Sequence, residues 1–538
     1  MKGIRLCPLL IVFILAFSFR FYKLSSYPVS LSIDEVGFGY NAYSIIKTGR
    51  DEWGMKMPLV FRAIGDYKPA IDIYLTVPSV YLFGLTEFGV RFPTALLGAL
   101  TAVIFVMILF EFGLSRPASI LGGLWLAVNP WHVHFSRGNF EAIIALFFLL
   151  VGVWSLLRWN KSMKNRYLSL SVMAFALSVW SYNAERLFSP LLFLILSFLL
   201  RGNLRVIIRN PKLLIAPLVI LLIFITPYFY LGFFTEAIRS RPLSTSIFRE
   251  AGLMDSLHRG TYVNWIERLL DNDIYLIFRH WAGKYLNYFD LRFWFWKGMG
   301  YTQPGDPDLG LFYIVDVIPI LSGTYLVFSS KNKLFRAIAV TWLFLGPLPA
   351  SLTMNEQHTI RSLTWLPFFG FAYASSIEFV IKNVRRLRTI SVVYFALLAV
   401  NIAYFANLYF VHYPKYYSEY WQYGYKEIAL YACGHIDEYN EVIITDTFGS
   451  LGPLNTGIPY AYVLFYCQYD PNTFLANGRR ISKISFRRPD WPNDSLQKNR
   501  LLIGSPWDLD IQEIPMEAII RVTYFKNKQR SFIYADTR

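Results

Sequence analysis

Three cysteines in 538 residues, at positions 7, 433 and 467, are too few and too scattered for a disulfide framework or a cluster of metal ligands. A single Cys433–Cys467 bridge stays open, and with it the redox compartment. Charge is scarce too: 16% of residues are Asp, Glu, Lys or Arg, against roughly a quarter in a soluble domain. The chain has no glycine-rich phosphate loop, no metal motif and no internal repeat. No small-x-small cleavage site follows the first apolar core either. Met1 to Tyr22, with Lys2 and Arg5 ahead of that core, therefore reads as a retained first span rather than a removed signal peptide.

What the chain has in quantity is hydrocarbon. Hydrophobic residues make up 55% of it and the mean hydropathy is +0.37, values of a polytopic membrane protein. The formal charge of +16 would suit a nucleic-acid binder, but the basic residues cluster in short connectors between apolar runs. Runs long enough to cross a bilayer lie at about 5–22, 87–112, 116–131, 139–157, 166–182, 187–201, 213–232, 311–329, 335–352, 361–381 and 389–411, which makes about eleven transmembrane helices. With the N-terminus in the cytoplasm, Arg116, the Arg158 to Arg166 connector, Arg201 to Lys212, Lys331 to Arg336 and Lys382 to Arg388 all fall inside. The intervening connectors are then extracytoplasmic.

The first outer segment, about 23–86, holds two shorter apolar stretches, Val36 to Ile46 and Ala70 to Phe83, that suit helices lying in the membrane interface. A later one, about 233–310, is rich in Trp, Tyr and Phe, as in an interfacial belt. From about His412 onward the apolar runs shrink to strand length at Val442–Thr445, Ala461–Phe465 and Ala518–Val522, preceded by a helix at Tyr425–His435. The expected fold is a polytopic α-helical membrane region, 1–411, followed by a small extracytoplasmic α/β domain, 412–538.

Ionisable residues gather in the outer connections. Asp34 and Glu35 follow the first span; an isolated pair of this kind is as well explained by a solvated loop or a helix cap. Lys68 and Arg91 close the first outer segment and open the second span. His134, Arg137 and Glu141 flank the next outer turn, Glu185 and Arg186 another, and Glu356, His358 and Arg361 a late one. Carboxylates and cations on one membrane face suit transfer of a sugar from a polyprenyl phosphate. One carboxylate takes the acceptor proton and cations hold the departing phosphate.

The order of Asp34-Glu35, Tyr67-Lys68-Pro69, Phe88 to Pro93, His134-Phe135-Ser136-Arg137 with Glu141, Tyr182 to Pro190 and His358 to Arg361 resembles bacterial GT-C glycosyltransferases. The group is that of the protein O-mannosyltransferases and the 4-amino-arabinose lipid A transferase, and the resemblance covers about residues 1–410. It implies an inverting, extracytoplasmic transfer with Asp34 and Glu35 as catalytic carboxylates and Lys68 as a phosphate contact. Arg91, Arg137, Glu141, Arg186, His358 and Arg361 are implied as further substrate-binding residues. Two departures stand out: Glu141 occupies a position where mannosyltransferases more often carry Asp, and Pro69-Ala70 replaces the doubled proline of the arabinose transferase.

The partners implied are a polyprenyl-phosphate sugar, membrane lipid and a protein, glycolipid or polysaccharide acceptor, with no nucleic acid. The residues demand no cofactor and no metal, and they leave a divalent metal open. A transporter or a flippase for lipid-linked saccharides is the alternative, and it needs polar groups within the spans. Which sugar, isoprenoid or acceptor is used does not follow from the residues, nor does the oligomeric state or the role of the C-terminal domain.

Overall fold

The computed structural model describes the chain except residues 1–5, 204–209, 240–243, 251–252, 254–256, 258–264, 267–271, 302–308, 355–356, 384–386 and 451–456. Lys2, Arg5, Arg205, Arg209, Glu356, Arg385 and Arg386 thus lie outside the described residues. The remainder is mostly helical and divides into two compact units.

In chain order the first elements are α1 (Leu6–Phe21), α2 (Ile33–Thr48), β1 (Val60–Ala63), β2 (Asp66–Pro69), α3 (Ala70–Phe83) and α4 (Glu87–Glu111). There follow α5 (Arg116–Val128), α6 (Pro130–Arg137), α7 (Glu141–Ser162), α8 (Asn165–Ser181), α9 (Glu185–Leu199), α10 (Ile215–Phe234) and α11 (Asp273–Asn287). The last long helices are α12 (Val317–Phe328), α13 (Lys333–Leu345), α14 (Leu366–Asn383) and α15 (Leu387–Asn407). A helix thus stands at each of the eleven apolar runs. Among the described residues, six helical stretches are long and apolar enough to cross a membrane: 87–111, 141–162, 211–234, 333–351, 363–383 and 389–416.

The first unit takes residues 1–22, 94–136 and 140–405. Several of its buried polar groups are paired with one another. Arg20 Nη2 lies 2.7 Å from His132 Nδ1, and Asp316 accepts from Trp125 Nε1 at 3.0 Å and from the Tyr394 hydroxyl at 2.9 Å.

The second unit takes residues 23–93, 137–139 and 406–538. It contains α16 (Tyr425–His435), β3 (Glu441–Ile444), α17 (Pro459–Tyr466), β4 (Ile484–Phe486), β5 (Arg500–Gly504), β6 (Ile519–Tyr524) and β7 (Arg530–Asp536). The five strands form one sheet in the order β4-β3-β5-β7-β6; β3 is parallel to β4 and β5, while β7 is antiparallel to β5 and β6. Alternation along the strands sends Val442, Ile444, Leu501 and Ile503 to one core and Ile443 and Leu502 to another. The first of these cores also takes Val36, Phe38, Tyr40 and Ala42 of α2, so the segment after α1 and the C-terminal sheet share one hydrophobic interior.

Two expectations change here. Ala461–Phe465, read as a strand, is the interior of helix α17, which begins with Pro459 in its first turn. A short, wholly apolar run has no period by which to distinguish strand from helix, and burial against α2 decides. Gly39 permits that approach, because a Cβ there would stand 2.5 Å from Phe465 Cε2 and 2.6 Å from Val90 Cγ2. Likewise α2, expected at the membrane interface, is buried along most of its length, whereas the Tyr81, Leu82 and Phe83 end of α3 is exposed. Cys433 and Cys467 form a disulfide that joins α16 to the residue after α17. Closing a loop of 34 residues contributes about 4 kcal/mol in the chain-entropy account.

Candidate active site

Helix α2 begins with a capping box. Ser32 Oγ accepts from Glu35 N at 3.4 Å, and Ser32 N donates to Glu35 Oε2 at 2.8 Å. The cap leaves Asp34 and Glu35 in the first turn, where carboxylates are favoured by the helix dipole. Neighbours on a helix point about 100° apart, and the two side chains meet opposite surroundings.

Glu35 is wholly buried against a wholly buried Arg91. Arg91 Nε donates to Oε1 at 2.8 Å and Nη2 to Oε2 at 3.3 Å. Its other N–H groups go to the carbonyls of Leu24 at 3.1 Å, Pro28 at 2.9 Å and Ser30 at 2.5 Å. All five guanidinium donors are thus used. Glu35 is equally occupied, since Asn139 N donates to Oε1 at 3.1 Å in addition to the bonds from Ser32 and Arg91. A carboxylate offers about four lone-pair sites, and these four bonds take them. The pair ties together the loop before α2, the start of α4 and the 137–139 turn.

Asp34 is the open member of the two. Its side chain is 43% exposed, and Lys68 Nζ lies 2.8 Å from Oδ1. Lys68 itself is only 10% exposed and has Asp66 Oδ2 at 3.6 Å. It is held there by the β1–β2 hairpin, in which Phe61 pairs with Lys68 and Val60 with Pro69. Tyr462 seals the loop preceding α2, its hydroxyl 2.6 Å from Gln422 Oε1 and 3.0 Å from the Leu31 carbonyl.

Arg137 is buried in the same unit. Its Nη2 donates to the Tyr27 carbonyl at 3.0 Å, and its guanidinium lies 5.5 Å and 5.3 Å from the ring centres of Tyr409 and Phe410. A cavity of about 880 Å³ opens beside these groups, lined by Tyr27, Ser30, Phe410, Lys426 and Tyr466 but not by Asp34 or Lys68. Asp34, Glu35, Lys68, Arg91 and Arg137 are thus brought into one unit. Glu141, Arg186, His358 and Arg361 belong to the other. There Arg186 Nη1 donates to the Ile238 carbonyl at 3.0 Å, Arg361 Nη1 to Thr353 Oγ1 at 2.7 Å, and His358 N to the Tyr288 hydroxyl at 3.0 Å.

Sequence reading passed over Asn139, whose backbone completes the Glu35 shell. Its signal was position alone, inside the Arg137–Glu141 motif. It also passed over Glu52 and Trp53. Glu52 is buried, and burial pushes its carboxyl up to about 7 despite the nearby Arg479. Below pH 4.5 folded and unfolded chains both keep that proton; between 4.5 and about 7 only the unfolded chain releases it. Stability therefore falls by about 3 kcal/mol as pH rises through this window and is level above it. Thermal unfolding should show Glu52→Gln melting above the wild type at pH 8 and level with it near pH 4.5. A constant offset at both pH values would refute the assignment.

No group of three or more His, Cys, Asp or Glu side chains with metal-binding geometry occurs among the described residues.

The sequence family described as dolichyl-phosphate-mannose-protein mannosyltransferase matches residues 68–230. No curated protein matches the chain. Among solved structures, ArnT from Cupriavidus metallidurans bound to undecaprenyl phosphate is similar at 12% identity and a TM-score of 0.51, over 98% of this chain and 97% of that one. The oligosaccharyltransferase of Archaeoglobus fulgidus in complex with zinc and sulfate aligns at 13% identity and a TM-score of 0.48, over 74% of this chain and 52% of that one. The chain thus resembles GT-C membrane glycosyltransferases, by sequence family over 68–230 and by an ArnT-like fold over nearly its whole length.

Proposed function

We propose that the chain is an integral-membrane glycosyltransferase that moves a sugar from a polyprenyl-phosphate donor to an acceptor hydroxyl on the extracytoplasmic face, with inversion. The observation that carries the reading is the Asp34–Lys68 pair, a half-exposed carboxylate 2.8 Å from an almost buried ammonium at the start of a capped helix. The match to the mannosyltransferase family from residue 68 and the ArnT-like fold support it.

Asp34 is the base and Lys68 the phosphate contact. Entry of the donor phosphate draws Lys68 away from Asp34 and frees the carboxylate. The acceptor O–H bond then breaks, with the proton going to Asp34. A new bond forms from that oxygen to the anomeric carbon, and the electron pair of the old carbon–oxygen bond leaves on the phosphate, balanced by Lys68. Glu35, with its lone pairs engaged, acts as the partner that fixes the turn rather than as a proton acceptor. Arg91 serves the same turn, and Arg137 is a proposed substrate contact on the strength of the family motif. Glu141, Arg186, His358 and Arg361 are proposed substrate contacts on the strength of the family motif alone.

Residues 1–411 form the membrane region with eleven spans, and 412–538 an extracytoplasmic region. The alternation of basic connectors favours this orientation, and the Cys433–Cys467 bridge suits an oxidising compartment. ArnT is seen with undecaprenyl phosphate; the same class of lipid carrier is proposed here, with no further cofactor.

Purified protein in nanodiscs should release polyprenyl phosphate from lipid-linked sugars when given cell-envelope acceptors. Cells lacking the gene should lose one class of surface glycan by mass spectrometry. Unchanged surface glycans together with no release from any lipid-linked sugar would reject the function.

A further inference from the structure

The C-terminal sheet carries a cavity that the proposed transfer does not use. It opens where the parallel strands β3, β4 and β5 begin, at Glu441, Ile484 and Arg500, and its volume is about 900 Å³. Clefts of roughly 300–1,000 Å³ are the size that holds small organic ligands.

Its charge is one-sided. Glu441, the sole acidic residue of the lining, is already engaged: Arg500 Nη2 lies 2.7 Å from Oε2 and Ser485 Oγ donates to Oε1 at 2.6 Å. Arg480, Lys483 and Lys498 are left facing the cavity with no carboxylate of the lining to balance them, and Arg479 joins them while Asp51 and Glu52 act on it from outside the lining. Backbone strain gathers at the same place. Arg479 (φ 62°), Lys483 (φ 60°) and Asn499 (φ 68°) all adopt the left-handed region, which costs a non-glycine residue about 1 kcal/mol or more and clusters at ligand sites.

Arg479 is also immobilised. Its guanidinium stacks 3.1 Å from the centre of the Trp53 ring, with Arg62 at 3.9 Å from that centre, and its buried Nε has no hydrogen-bond acceptor among the described residues. A flat, pre-set guanidinium is suited to the oxygens of a phosphate or carboxylate. Tyr460, Phe474 and Phe486 complete the wall, the Tyr460 and Phe486 rings 6.4 Å apart. Aromatic faces accept the C–H faces of sugar rings while the cations take charges carried on them.

The cavity is tied to the candidate base through α2. Trp53 follows Glu52, whose backbone N–H donates to Asn41 Oδ1 at 3.0 Å, and Asn41 lies two turns along the helix from Asp34, about 10 Å. Cavity and candidate base thus belong to one compact unit.

We propose that this cavity binds an anionic saccharide, the charged outer part of the acceptor glycan, and holds it while a hydroxyl further along the chain reaches Asp34. The proposal rests on the glycosyltransferase reading for its purpose. Contacts remote from the reacting bond position a substrate at no cost to the chemistry.

The test is binding without turnover. A fluorescent mannopentaose phosphate is titrated into the full-length protein in phosphatidylcholine nanodiscs, with no donor present, and read by polarisation. The oligosaccharide phosphate should bind at least tenfold more tightly than neutral mannopentaose. The exposed pair Arg480→Ala and Lys498→Ala should weaken it tenfold or more with melting temperature unchanged. Asp34→Asn should bind as the wild type does. Equal binding of the neutral sugar, indifference to Arg480→Ala with Lys498→Ala, or equal competition by inorganic phosphate would overturn the proposal. So would displacement by phosphatidylglycerol vesicles, which marks a headgroup surface. Binding in a protein that transfers no sugar would reject the glycosyltransferase reading and leave the site standing. Transfer without binding would do the reverse.

Discussion

Asp34→Asn is expected to lower sugar transfer by two to four orders of magnitude, the usual contribution of a positioned general base, while leaving the melting temperature within about 2 °C. The split between activity and stability follows from exposure. Asp34 is 43% open to solvent, and its partner Lys68, only 10% exposed, keeps a second carboxylate in Asp66 at 3.6 Å when Asp34 loses its charge. An amide there keeps the size of the side chain and cannot take a proton from an acceptor hydroxyl. Lys68→Ala should act on the same reaction from the other side, raising the donor KM as well as lowering kcat, because the ammonium meets the phosphate before and during its departure. Radiolabelled transfer from a polyprenyl-phosphate sugar measures both. Undiminished transfer by Asp34→Asn removes the catalytic assignment, whatever Lys68→Ala does.

The neighbouring residue should behave in the opposite way. Glu35→Ala is expected to destabilise the protein by about 3–5 kcal/mol, since it strands a fully buried guanidinium without its counter-charge. In a unit of this size that corresponds to a loss of roughly 10 °C in melting temperature. The cause is desolvation and not the capping bond alone, whose loss costs about 1 kcal/mol. The double change Glu35→Leu with Arg91→Leu separates the two, because it removes both charges together. It should recover most of the stability, as buried pairs replaced by apolar side chains commonly do. Thermal unfolding in detergent reads all three proteins. A Glu35→Ala protein that melts with the wild type would mean that Glu35 is not the fastener its four hydrogen bonds describe.

Two adjacent carboxylates therefore divide the work, and the difference lies in their partners. Asp34 looks towards a lysine at the mouth of a hairpin and is partly open to solvent. Glu35 looks inward at an arginine whose five donors are all engaged. A mutation that abolishes activity at either position would mean different things, and only the pairing of activity with melting temperature distinguishes them.

Much of this architecture was legible in the residues alone. Apolar runs separated by basic connectors carry their own length and period, so helices stand at every expected run. Ser32 three residues before Glu35 is a capping signal that needs no tertiary contact, and the α16 helix and the β3 and β6 strands follow from short-range pattern. The clustered carboxylates and cations were also visible, because charge is rare enough in such a chain to mark its own position. Tertiary structure decided the rest. Arg91 reaches Glu35 across 56 residues and Asn139 reaches it across 104, distances at which no local pattern operates. Burial turned Ala461–Phe465 from an expected strand into the helix against Gly39. Packing set Arg479 on Trp53, two residues from segments with no motif in common. Local sequence determines backbone period and the ends of helices, since those depend on bonds within about four residues. Which of two neighbouring carboxylates is buried and which stays open to solvent depends on what the folded chain places against each, and that is a property of the whole.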